Sequence, residues 1–144
     1  MKTPQHLVRK VHAGHSGDLE HVTFSLAYMT ANKAHDLSWF QKHPGGNEAR
    51  WLVHLLENME FWSQNSWNSL SRLDRKDRGF EKIGVDELKS DITDRIRSVC
   101  PVDELIIFRF GKDCRMAGVR WAENTGVFQV LGFDFDFTLY DHGS

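Results

Sequence analysis

The sequence has little of what marks secreted and membrane proteins. Only two cysteines, Cys100 and Cys114, occur among its 144 residues. They are too few for a disulfide scaffold, and they lack the CxxC spacing of redox and zinc motifs. No window approaches the ~18 apolar residues of a membrane span, and residues 1–15 contain no apolar run of signal-peptide length. We therefore expect reduced thiols in a cytoplasmic protein that does not associate with membranes.

The chain also has no excess of basic residues. Its 18 Lys and Arg stand against 20 Asp and Glu, which gives a formal net charge of −2. Nucleic-acid-binding domains usually carry a basic face. Residues 101–144 hold four basic and seven acidic side chains, so the end of the chain offers no simple electrostatic attraction to RNA.

Signatures of the common cofactor and metal sites are absent as well. The chain has no P-loop, Rossmann fingerprint, Gly-x-Ser-x-Gly elbow or EF-hand, and we expect no cofactor. Four histidines fall in the first 21 residues: His6, His12, His15 and His21. Strong zinc signatures combine His with Cys or form an HExxH helix, and Asp134, Asp136 and His142 match no known metal spacing. We therefore predict no metal site.

Aromatic residues, by contrast, are plentiful, with ten Phe, five Trp and two Tyr. This content, together with interspersed charges of both signs, indicates a folded chain. The length suits one domain with a sizeable core. We predict a single domain over residues 1–144, in which residues 1–18 form either a short helix or a loose arm.

The first half of the chain is typical of one strand followed by a helix. Residues 21–30 alternate between apolar and polar side chains, which predicts a half-buried strand. From Glu48 to Gln64 the apolar residues recur at helical spacing, after Asn47 as a candidate N-cap. The apolar stripe consists of Trp51, Leu52, Leu55, Leu56, Met59 and Trp62.

Two shorter helices and a loop are predicted next. Ser66 can cap a helix around residues 66–73. The charged stretch 74–82 has the composition of an exposed loop, and a third helix is predicted over residues 85–99, where Pro101 prevents its continuation.

Three β-strands are predicted after residue 104. They are joined by tight turns at residues 111–113 and 123–126. The third strand is apolar on both faces, so we expect it to lie centrally with both sides covered. The whole order predicts an α+β fold: an N-terminal strand, two to three helices, and a C-terminal three-stranded antiparallel sheet with the helices packed on one face.

The predicted sheet carries residues suited to phosphate chemistry. Arg109 and Arg115 fall on neighbouring strands, and the arginine fork matches a phosphodiester and its developing charge. Tyr140 or His142 could transfer a proton nearby. Two further cations would assist substrate binding: Lys112 and Arg120. The alternative is structural, with the arginines paired across the sheet to an aspartate: Asp103, Asp113, Asp134 or Asp136.

Residues 104–142 are predicted to contain, in order, a strand, Gly111, Arg115 on the next strand, an apolar third strand and Tyr140 near the end. This order of features resembles the RelE/ParE-type toxin superfamily. Members are small α+β proteins in which helices precede an antiparallel sheet, and some cleave mRNA at the ribosome with basic and Tyr/His residues. The resemblance implies metal-independent mRNA cleavage, a cognate antitoxin, Arg109 and Arg115 as the sheet arginines, and Tyr140, with His142, as the C-terminal group.

Two functions follow from these observations. The first is a toxin-like, RNA-acting protein that cleaves mRNA or inhibits translation at the ribosome, with Arg72 and Arg75 as further phosphate contacts. The second is a non-catalytic interaction module for an antitoxin, phage or defence-related partner. Trp62 and Trp67 would anchor that partner, since Trp is enriched at interface hot spots, although their helical spacing is more typical of core residues. The sheet favours the first function, and the acidic balance favours the second.

Overall fold

The computed structural model describes six parts of the chain: residues 17–29, 48–75, 78–85, 104–111, 114–121 and 124–135. Within them the elements are β1 (Thr23–Ser25), α1 (Glu48–Ser63), α2 (Trp67–Ser71), β2 (Phe80–Gly84), β3 (Glu104–Phe110), β4 (Cys114–Trp121) and β5 (Asn124–Asp134). Residues 1–16 of the predicted arm (1–18) and, apart from Val85, the predicted third helix over 85–99 lie outside the described residues.

The strands form one mixed sheet of five, in the order β1-β5-β4-β3-β2. Neighbours from β2 to β5 run antiparallel, and β1 runs parallel to β5. The predicted three-stranded antiparallel sheet is therefore wrong. It omits β1, whose pairing with β5 is remote in sequence, and β2, which lies partly in the charged stretch 74–82 that we predict to be a loop.

β1 is also much shorter than the alternating pattern of residues 21–30 suggests. The chain leaves the sheet after Ser25 and turns, with the Met29 amide 3.5 Å from the Leu26 carbonyl oxygen. Leu26, which the alternation assigns to the buried face, is 48 % exposed. The alternation continues past Ser25 although the pairing with β5 ends there, so alternation alone overestimates the length of β1.

The two helices meet at a tight corner. The Asn65 side chain donates to the Phe61 carbonyl oxygen at 2.7 Å, which satisfies one of the free carbonyls at the end of α1. The Ser66 hydroxyl then accepts from the Ser69 amide at 3.0 Å and caps α2. The predicted helix over 48–64 and the cap at Ser66 are confirmed.

An aromatic core fills the space between the helices and the sheet. Phe108 lies at its centre, with its ring centroid 4.5 Å from that of Trp62 and 5.1 Å from that of Phe128. Both partners are fully buried. Burying one such side chain stabilises the fold by about 1.5–3 kcal/mol. We call this side of the sheet the helix side.

The other side of the sheet, here the opposite face, is buried too. Its core is mainly aliphatic and consists of Ile83, Leu105, Ile107, Ala117, Val119, Trp121 and Leu131. Tyr28 packs on its rim, with ring centroids 4.7 Å apart between Tyr28 and Trp121. β5 lies between β1 and β4 and is covered on both faces, as its apolar sequence predicts.

Candidate functional site

The arginines predicted for the site belong to a row of four charges that crosses the opposite face. Arg109 and Arg115 face each other from β3 and β4, and Arg115 in turn faces Asp134 on β5. Glu81 on β2 completes the row beyond Arg109, one diagonal step away. We call these four residues the charge row. Its order is acid, arginine, arginine, acid, so its formal charge sums to zero.

The Glu81 end of the charge row is linked to the surface. One Glu81 carboxylate oxygen lies 3.3 Å from Arg109, and the other accepts a hydrogen bond from Arg75 at 2.8 Å. The Arg109 and Arg75 side chains are 25 % and 50 % exposed. Ion pairs of this exposure are worth about 0–1 kcal/mol. Arg75 and Arg109 therefore converge on one carboxylate at the protein surface.

The Asp134 end is deeply buried instead. Arg115 is 2 % exposed and Asp134 is completely enclosed. The Arg115 Nη1 donates to the Cys114 carbonyl oxygen at 3.2 Å. A buried charge requires compensation. In the register of β4 and β5, Arg115 stands opposite Asp134, so two opposite formal charges lie on neighbouring strands. The guanidinium of Arg115 is thus part of the interior, where a phosphate from solvent cannot reach it.

Arg120 does not join Arg109 and Arg115, because it points to the helix side. Its Nε donates to the Thr125 carbonyl oxygen at 2.6 Å and its Nη2 to Asp18 at 2.9 Å. The guanidinium carbon lies 4.1 Å from the Trp67 ring centroid. Burial lowers the pKa of Arg120, and the hydrogen bond and charge of Asp18 act in the opposite direction.

Arg120 instead anchors the segment that leads into β1. The Asn68 amide donates to the Asp18 carbonyl oxygen at 2.8 Å, and the Trp67 amide donates to the Glu20 carbonyl oxygen at 3.2 Å. Together with the Asp18 carboxylate on Arg120, these bonds attach residues 18–20 to the corner between the helices. The role of Arg120 seen here is structural.

The charged loop after α2 presents three arginines. Arg72 and Arg78 are exposed, Arg78 lies 4.8 Å from the Phe61 ring centroid, and Arg75 binds Glu81. The Trp62 indole donates to the Arg78 carbonyl oxygen at 2.8 Å. The backbone of Arg78 is therefore held against α1.

The remaining predicted site residues divide into two groups. Lys112, Tyr140 and His142 lie outside the described residues. Trp62 and Trp67, the predicted partner anchors, are 0 % and 1 % exposed and belong to the aromatic core. Neither indole ring reaches the surface.

The surface that the sequence pattern misses is the outer surface of α1. Leu56 is 63 % exposed, Val53 is 52 % exposed, and Leu52 at the edge is 36 % exposed. The predicted apolar stripe includes Leu52 and Leu56, and this is wrong for both, because both are exposed. Leu55 occupies the core, and adjacent helical residues point about 100° apart. The exposed surface could have been found from the sequence, because α1 carries more apolar residues than one stripe can bury.

Charged residues surround these apolar side chains. Arg50, Glu57 and Glu60 are all exposed on the same outer surface. Among the described residues, neither Arg50 nor Glu57 forms an ion pair. The outer surface of α1 thus combines an apolar centre with a charged rim, as protein interfaces do.

The chain matches no protein-family model, no curated protein and no solved structure. The resemblance to the RelE/ParE-type superfamily therefore stays a prediction. Within the described ranges, no group of three or more His, Cys, Asp or Glu side chains is placed to hold a metal ion. Neither described helix is long and apolar enough to cross a membrane.

Proposed function

We propose that the chain is a non-catalytic, cytoplasmic protein-interaction module and that the outer surface of α1 is its docking site. The observation that carries this is the exposure of Val53 and Leu56, one turn apart on a helix whose other side is fixed in the aromatic core. Single exposed apolar residues are ordinary, whereas a contiguous patch of a few hundred Å² on a monomer is often functional.

The occupant that fits this surface is an amphipathic helix. Ridges of apolar side chains on a second helix can pack between those of α1. The occupant would present a carboxylate toward Arg50 and a cation toward Glu57. In helix docking of this kind, the bound helix makes its main contacts through apolar side chains spaced three and four residues apart.

Photo-crosslinking tests this proposal. A benzophenone side chain placed at position 56 keeps the site apolar and captures whatever docks there in cells. The matched control is position 26, because Leu26 is 48 % exposed but lies at the end of β1. We expect discrete adducts from position 56 that are lost in the Val53→Ser background. Equal adducts from both positions, or none from position 56, would contradict the proposal.

The RNA-acting function is the second candidate, and one observation favours it. Arg75 and Arg109 converge on the Glu81 carboxylate at 2.8 and 3.3 Å, and a phosphate oxygen could replace that carboxylate. In this proposal Arg75 and Arg109 hold RNA, and Tyr140 or His142 transfers the proton. The neutral charge row and the internal contacts of Arg115 and Arg120 place it second.

Growth arrest on expression is the measurement for this candidate. The test variant is Arg75→Ala with Arg109→Ala, because both side chains reach solvent. Arg115→Ala is unsuitable, since its loss of function would report misfolding of a buried site. Arrest that disappears in the double variant, with the circular-dichroism spectrum unchanged, supports RNA action. Arrest that persists, or is absent from the parent chain, counts against it.

A further inference from the structure

The charges on α1 indicate which helix docks there. Arg50 and Glu57 lie seven residues apart and therefore share one stripe of the helix, about 10 Å apart along its axis. Val53 and Leu56 lie between them in sequence on the same outer surface. A helix that carries Arg at one end of an apolar pair and Glu at the other is complementary to its own reversed copy.

We propose, building on the interaction function above, that the occupant is α1 of a second copy of this chain, packed antiparallel about a two-fold axis near residues 53–56. A two-fold contact is self-complementary, so every interaction occurs twice. Arg50 of each copy faces Glu57 of the other. Val53 of each copy packs beside Leu56 of the other.

The charges also select the direction of packing. A parallel pair keeps every residue level with its own copy, so Arg50 stands level with Arg50 and Glu57 with Glu57. Like charges at such spacing repel. Antiparallel packing replaces both repulsions with attractions.

The small apolar area sets the strength of the dimer. Three partly exposed aliphatic side chains form a patch on the order of a few hundred Å², below the roughly 1,200 Å² that stable complexes bury in total. The dimer is therefore weak, and its population rises with protein concentration.

Sedimentation equilibrium of the full chain across a concentration series measures this directly. The expected mass rises from the 16.7 kDa of the monomer toward twice that value. Arg50→Glu and Glu57→Arg each turn two attractive pairs into two repulsive ones, so each variant weakens the dimer by about tenfold. An equimolar mixture of the two variants restores association, because the heterodimer regains both opposite-charge pairs.

The outcomes that overturn the inference are distinct. The inference is wrong if the chain stays monomeric throughout the concentration series. It is also wrong if the single variants associate as tightly as the parent chain, or if the mixture of variants does not recover association. Crosslinks from position 56 to a different protein, with a monomeric chain, leave the interaction function standing and remove only the self-association. No adduct of any kind removes both.

Discussion

The two faces of the sheet are both buried, but they handle charge in different ways. The helix side is an interlocked set of aromatic rings around Phe108, with Arg120 as a buried cation at its rim. The opposite face is aliphatic in its middle and carries four charges in a row across four strands. β4 contributes one buried arginine to each face. Arg115 and Arg120 lie five positions apart on this strand and therefore point to opposite sides of the sheet.

This difference shows that arginines close in sequence on one sheet need not form one site. Arg115 stands opposite Asp134 in the strand register and donates to the Cys114 carbonyl oxygen, whereas Arg120 binds Asp18 and the Trp67 ring. Both have structural partners, so neither needs a ligand to explain its presence. Val53 and Leu56, which are exposed on the outer surface of α1, lie outside the sheet.

Truncation of the aromatic centre should give the largest effect. Phe108→Ala removes a ring that contacts Trp62, Trp67, Phe80 and Phe128, and we expect a loss of about 4 kcal/mol in the free energy of unfolding. Ile107→Ala, its neighbour on the opposite face, should cost about 3 kcal/mol. Urea denaturation measures both, and a reversed order would show that the aromatic side is not the better packed one.

Removing one of the two buried charges tests the opposite face. Arg115→Met leaves a thioether opposite the enclosed Asp134 in the strand register, and we expect a loss of about 3 kcal/mol by urea denaturation. The double variant Arg115→Met with Asp134→Leu should recover most of it, because both buried charges are then removed together. A double variant as unstable as the single one would mean that the two residues do not act as a pair.

The buried arginine of the helix side should matter less. Arg120→Met keeps much of the stem but loses the bonds to Asp18 and to the Thr125 carbonyl, at a cost of about 2 kcal/mol. Because Arg120 anchors residues 18–20, hydrogen exchange of the Trp67 and Asn68 amides should accelerate. Unchanged exchange would show that the segment is held without Arg120.

The parts of the fold that depend on local pattern could be predicted. The spacing of apolar residues gives α1, the cap at Ser66 gives the start of α2, and the apolar run gives β5 covered on both sides. The placement of β1 depends on a parallel pairing between residues about a hundred positions apart, which no local pattern contains. β2 is five residues long and lies against charged sequence, so its alternation is too short to detect.

The candidate site shows the same limit. Alternation places Arg109 and Arg115 on one face and Arg120 on the other, but the sequence cannot reveal that Glu81 comes from a fourth strand to balance them. The burial of Trp62 agrees with the predicted apolar stripe, whereas the exposure of Leu56 depends on the angle at which α1 lies on the sheet. That angle is set by the packing of whole elements, and the periodicity does not determine it.

The adjacent leucines of α1 give the smallest expected change in stability and the sharpest contrast. Leu55 is 4 % exposed and Leu56 is 63 % exposed, so Leu55→Ala should cost about 3 kcal/mol, whereas Leu56→Ala should change the free energy of unfolding by less than about 0.5 kcal/mol. Leu56→Ala should nevertheless weaken self-association in sedimentation, because it removes the apolar centre of the dimer contact. A residue that matters for association but not for folding belongs to a binding surface. If Leu56→Ala destabilised the monomer as much as Leu55→Ala, its side chain would belong to the core, and the docking site on α1 would be lost.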